Sequence, residues 1–150
     1  MTLQVSTETK VAVIAALKEV FDGGVIRIFT GSPPDTADDA EIGTLLGVIT
    51  KNGAAGVGLD FVAQGPYLIK DLFDSWMLTA DVTGSMGWWR LVKDPADTGS
   101  QSFNAARIDG TISTDPGSGA EFIVDALGVT AGLQYSIDAF TYTIPPVVGA

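Results

Sequence analysis

Hydrophobic periodicity changes once along this chain and does not change back. Residues 8–22, ETKVAVIAALKEVFD, set Val13, Ile14, Leu17, Val20 and Phe21 at helical spacing. Ser6 stands where an N-cap belongs, Glu8 falls in the first turn, and Gly23 and Gly24 follow as a stop. From residue 25 onward the apolar residues recur with period two. Seven runs read as strands: 25–31, 44–50, 75–82, 85–94, 105–113, 120–126 and 133–144. Clusters of Gly, Pro, Asp and Ser separate them. One helix followed only by short strands excludes a βαβ fold and points to layered antiparallel sheets. The fold expected is therefore mainly β: an antiparallel β-sandwich, with a jelly roll as one form of it, carrying one N-terminal α-helix.

The alternation also assigns faces. Trp76, Leu78, Ala80 and Val82 oppose Met77, Thr79 and Asp81, while Ala106, Ile108, Gly110 and Ile112 oppose Arg107, Asp109, Thr111 and Ser113. Trp76, Ile108, Ile112 and Phe140 are expected to share one core. In the last run Tyr135 and Ile137 set one phase and Phe140, Tyr142 and Ile144 the other, which a β-bulge near Asp138 and Ala139 would reconcile. Residues 51–71, rich in Gly and Ala, read as a long loop with one short edge strand. No fixed-period repeat and no linker interrupts the 150 residues, so residues 1–150 are expected to form a single domain.

Composition narrows the chemistry. The chain has no histidine and no cysteine, which removes Ser-His-Asp and Cys-His catalysis, His-based zinc sites, thiolate ligands and disulfides. What remains is carboxylate or lysine chemistry. The acids crowd into residues 30–50, TGSPPDTADDAEIGTLLGVIT, where Asp35, Asp38, Asp39 and Glu41 follow Pro33 and Pro34. Their spacing fits no calcium loop, and the two prolines suit a rigid turn, so they read as solvated loop charges and no metal site is assigned. The run NGAAGVG (52–58) lacks the Lys-Ser or Lys-Thr ending of a phosphate loop and opens no helix, so no nucleotide cofactor is expected. With a formal charge of −10 and no basic run, nucleic acid is not an expected partner. No apolar stretch reaches membrane-spanning length, and MTLQVSTETK lacks the basic flank and apolar core of a secretory signal, so synthesis in a cytoplasm and no membrane partner are expected.

The stretch TGSMGWWRLVKD (83–94) places Met86, Trp88, Arg90 and Val92 on one face and Trp89 and Leu91 on the other. One tryptophan belongs to the core. The other either lies under a second layer of this chain or meets another chain, because Trp and Arg are enriched at interface centres. Trp88, Trp89 and Arg90 are therefore the candidate interface residues. Charged residues make up only 17% of the chain, which favours surface buried against partners and homo-oligomers.

Several of these segments together resemble a group of small structural proteins encoded by tailed bacteriophages and prophages. Arg27, Ile28, Phe29, Gly31, Pro34, Gly43, Thr44, Leu45 and Leu46 fit one motif of that group, and Gly87, Trp88, Trp89, Arg90 and Leu91 a second. The final alternating strand, YSIDAFTYTI, fits a third, and the likeness is weakest over residues 51–74. The resemblance implies a non-enzymatic virion component. The concrete expectation is a decoration or cement protein on the capsid exterior that binds the major capsid protein. A head–tail junction, neck or tail component is the alternative within the virion. From other classes come a carbohydrate-binding module using Trp88 or Trp89 as a stacking platform, and a carboxylate hydrolase.

Overall fold

The computed structural model describes residues 4–144, so the two ends of the expected 1–150 domain lie outside the described residues. Helix α1 (Thr7–Phe21) begins at Ser6, whose hydroxyl accepts the backbone N–H of Thr9. Lys18 pairs with Asp22 at its end, and the N–H of left-handed Gly23 donates to Leu59 O at 2.8 Å. The helix lies along strands β3 (Phe61–Gln64) and β4 (Tyr67–Lys70) and turns Ile14, Leu17 and Phe21 into the core. Val13 and Val20, expected on the buried stripe, are exposed. Contact comes from one side only, so the narrower 14-17-21 row suffices.

The remaining strands are β1 (Val25–Phe29), β2 (Leu45–Lys51), β5 (Trp76–Ala80), β6 (Gly84–Ser85), β7 (Trp88–Val92), β8 (Arg107–Ser113), β9 (Phe122–Ile123), β10 (Gly128–Val129), β11 (Gln134–Ile137) and β12 (Thr141–Thr143). Seven of them form one sheet in the order β11-β5-β2-β1-β7-β8-β9, and a three-stranded sheet runs β12-β4-β3. β6 and β10 make a small separate ribbon. All pairs are antiparallel except β8 with β9. The fold is thus mainly β with one N-terminal helix. Its layers are unequal, seven strands against three, whereas a jelly roll divides eight strands between two sheets.

Register explains the core. Ile26 pairs with Ile49 and Leu91, Ile49 with Leu78, and Ile28 with Trp89, so one face of the large sheet carries an unbroken apolar surface. Phe61 and Leu68 of the small sheet and the helix row close over it. Trp76, Ile112 and Phe140 are buried in this core, and Ile108 packs half-buried against it.

The strand readings are corrected at three places. Residues 133–144 are not one bulged strand: β11 belongs to the large sheet and β12 to the small one, and the parity change at Asp138 and Ala139 marks the crossing between layers. Residues 51–71 are not a long loop with one edge strand, because β3 and β4 form a hairpin on which β12 pairs. The run 120–126 shortens to the two residues of β9, which pair in parallel with the end of β8.

Candidate functional site

The outer face of the large sheet brings together Trp88 and Arg90, two of the three residues singled out by sequence. β1, β7 and β8 are neighbours, and their registers set Phe29 beside Trp88, Arg27 beside Arg90, and Arg90 beside Asp109. The Phe29 and Trp88 rings stack with centroids 4.3 Å apart, and the Arg90 guanidinium lies 5.4 Å from the Trp88 ring. Arg27 and Arg107 extend this patch.

Each arginine is held by a two-pronged carboxylate contact. Arg27 reaches Glu41 at 2.6 and 2.9 Å, Arg90 reaches Asp109 at 2.7 and 2.9 Å, and Arg107 reaches Asp97 at 2.7 Å through both nitrogens. Arg90 also donates to Asp39 O, and Arg107 to Ala37 O and Ser100 O. The arginines thereby fasten two loops, residues 30–44 and 93–106, over the sheet. The loops are joined to each other by Glu41 N to Gly99 O and Ser102 N to Asp38 O. Gly99 sits so close to the Glu41 carboxylate, with φ of +81°, that a side chain there would collide with it. The Asp97 carboxyl is held below the ordinary carboxylate range by Arg107, against the opposing effect of burial.

These contacts answer what the acid-rich loop does. Glu41 is a clamp for Arg27, Asp39 accepts the N–H of Thr36, and the backbone carbonyls of Ala37, Asp38 and Asp39 bind the neighbouring loop and two arginines. Trp88, Trp89 and Arg90, the candidate interface residues, have 0% exposed surface each. Trp89 points into the core, meeting Phe122 and Phe140 edge-on and donating its indole N–H to Thr111 O at 3.1 Å. Trp88 is on the opposite face, against the Phe29 ring and the Arg90 guanidinium, which is itself bonded to Asp39 O of the 30–44 loop. In the folded chain neither tryptophan offers a sugar-stacking platform, and none of the three offers a contact surface.

Beyond the clamped half, the outer face opens into a shallow cleft of about 280 Å³ lined by Val25, Val48, Thr50, Thr79, Asp81 and Pro95, with Asp81 its one ionisable side chain. A glycosidase needs two carboxyl groups across a cleft. Asp60 and Asp74 are close to each other, but Lys51 takes up both, at 2.8 and 3.5 Å. Lys51 draws the Asp60 carboxyl down, while burial and the Asp60 charge push Asp74 up. The Oδ2 of Asp74 is buried and without a hydrogen-bond partner. Among the described residues no group of three or more acids is arranged to hold a metal ion, and no helix is long and apolar enough to cross a membrane.

The Asp74 contact has another consequence. It pins the loop 71–75, which carries the most exposed large apolar side chain of the described residues, Phe73 at 100%, with Leu72 at 76% beside it; Phe103, on the 93–106 loop, stands alone at 77%. The Asp71 carboxylate accepts the Phe73 N–H at 2.9 Å, Asp74 N donates to Asp71 O, and Asn52 N donates to Ser75 O at 2.7 Å. The Lys70 ammonium, itself buried, donates to the carbonyls of Asp71 and Asp74. At the opposite end of β5, Val82 and Leu133 are also exposed. Sequence reasoning passed over Leu72 and Phe73 because they fall between the segment read as loop, 51–71, and the strand run that begins at 75. Two adjacent large apolar residues flanked by Asp71 and Asp74 were the available signal. Compared with protein-family models, curated proteins and solved structures, the chain matches no family, no curated protein and no solved structure.

Proposed function

We propose that this protein is a non-enzymatic structural component of a tailed-phage virion, in the form of a decoration or cement protein that binds the major capsid protein on the capsid exterior. The observation carrying this reading is the placement of exposed apolar side chains at both ends of one rigid strand. Leu72 and Phe73 precede β5, Val82 follows it, and the carbonyl of Leu133 accepts the Ala80 N–H beside it. A strand of five residues separates the two tips by roughly 16 Å. Soluble chains usually cover such side chains, and a molecule with an apolar tip at each end suits bridging of neighbouring subunits. The resemblance of the 27–46 and 87–91 motifs to phage structural proteins supports the same reading. So does the net charge of −10, which suits a face turned to solvent better than one turned to packaged DNA.

The test is co-sedimentation of the purified protein with capsids assembled without it. Saturable binding to capsids is expected, and capsids carrying it should resist heating better than bare ones. Binding to tails or necks but not capsids moves the protein to the head–tail axis, and binding to neither overturns the virion reading.

A further inference from the structure

We infer that the loop 70–75 is a docking anchor, and that its partner is a foreign protein surface presenting an apolar pocket rimmed by Lys or Arg. The inference rests on the reading of this chain as a virion protein and names the surface by which it binds. Phe73 and Leu72 stand free, yet the backbone beneath them is held by the Asp71 carboxylate, by the Lys70 ammonium on two carbonyls, and by Asn52 on Ser75 O. An exposed apolar tip on a mobile loop would lose entropy on binding, whereas one already fixed loses little, which is how an interface anchor is built.

The surroundings state the partner's charge. Beside the tip lies a hollow lined by Phe73, Asp74, Ser75, Ser136 and Asp138. Asp74 and Asp138 are its acids, with Asp71 next to Leu72 in the chain and Asp60 bound beside Asp74 by Lys51, while the cations, Lys51 and Lys70, are turned onto Asp60, Asp74 and backbone carbonyls. Lys51 pairs Asp60 and Asp74 and leaves Asp71 and Asp138 without a cation among the described ion pairs, so the tip presents apolar surface where acids outnumber cations. A second copy of this chain, itself at −10, would bring like charge to it, whereas a basic rim complements it.

The experiment measures binding to capsids assembled without this protein, for wild type, Phe73→Ala, Asp138→Asn and Phe103→Ser, at low and high salt. Phe103 is an exposed phenylalanine on the 93–106 loop and serves as the control. Phe73→Ala should weaken binding by about thirtyfold or more with an unchanged melting curve. Asp138→Asn should weaken it about two- to fivefold and flatten its salt dependence, and Phe103→Ser should bind as wild type. A photo-crosslinking residue at position 73 should join the capsid protein at a peptide containing Lys or Arg. Wild-type affinity in Phe73→Ala, or a crosslink from position 73 to a second copy of this chain, overturns the docking inference while leaving the virion reading standing. Failure of wild type to bind capsids, necks or tails overturns both.

Discussion

Arg90 carries its charge with no exposed surface, so its stability depends on what meets it: both oxygens of Asp109, the carbonyl of Asp39 and the face of Trp88. Removing one partner of such a pair leaves the other charge buried and uncompensated, which costs far more than the pair contributes relative to apolar residues. Asp109→Ala should therefore lower the unfolding free energy by about 3–5 kcal/mol in urea titrations, and Arg90→Met added to it should recover part of the loss. A loss below about 1 kcal/mol, the worth of an exposed pair, would mean that water reaches Arg90. Asp97 makes the outer layer acid-sensitive in a defined direction. Its folded value lies below the ordinary 3.8 because Arg107 favours the ionised form, so its contribution is complete above pH 3.8 and is lost as pH falls through the lower folded value. Asp97→Asn should lower stability at neutral pH and flatten the acid limb of the stability profile below about pH 4. An unchanged acid limb would place the acid sensitivity on other carboxylates.

At the scale of elements, Phe140 joins the layers. It sits where the chain passes from β11 to β12, and its ring lies 4.9–6.0 Å from the rings of Phe61, Trp76, Trp89 and Phe122. Phe140→Ala removes the shared member of that cluster and should cost about 3–5 kcal/mol, measured by chemical denaturation. A cost near 1 kcal/mol would show that the two sheets close without it. The helix, the positions of β1, β2, β5, β7 and β8, and the Trp76–Ile112–Phe140 core were legible in the sequence because each rests on local periodicity. The crossing at Asp138 was visible as a parity change, yet parity alone does not distinguish a bulge from a change of sheet. The β3–β4 hairpin stayed hidden because Gly and Ala in 51–71 carry little periodic signal. Gly110 looked like one more core position, whereas a Cβ there would come within 2.3 Å of the Trp89 ring, so its role is to admit the indole. At the candidate site, Trp88, Trp89 and Arg90 drew attention by residue type, and burial was fixed by two loops whose closure depends on long-range arginine contacts that no local pattern records.

At the scale of the whole molecule, the question is whether the outer layer belongs to the same cooperative unit as the core. The apolar tips at the two ends of β5 act as one strut only if the sheet between them stays rigid while loops 30–44 and 93–106 remain closed. The Arg27–Glu41 and Arg107–Asp97 contacts and the Arg90 bond to Asp39 O tie that layer to β1, β7 and β8, backbone bonds join the two loops, and the same strands supply Ile26, Ile28, Trp89, Leu91 and Ile112 to the core. Strands shared by both layers couple their melting, so one transition is expected rather than two. The tryptophans allow this to be seen directly, since Trp76 and Trp89 report the core and Trp88 the outer layer. In a variant with Trp76→Phe and Trp89→Phe, the fluorescence of Trp88 should change at the same temperature as the far-ultraviolet circular dichroism, with both midpoints below those of wild type. If Trp88 becomes exposed at a lower temperature than the sheet melts, the loops open as an independent lid, and the molecule has to be treated as a core that carries a movable cover.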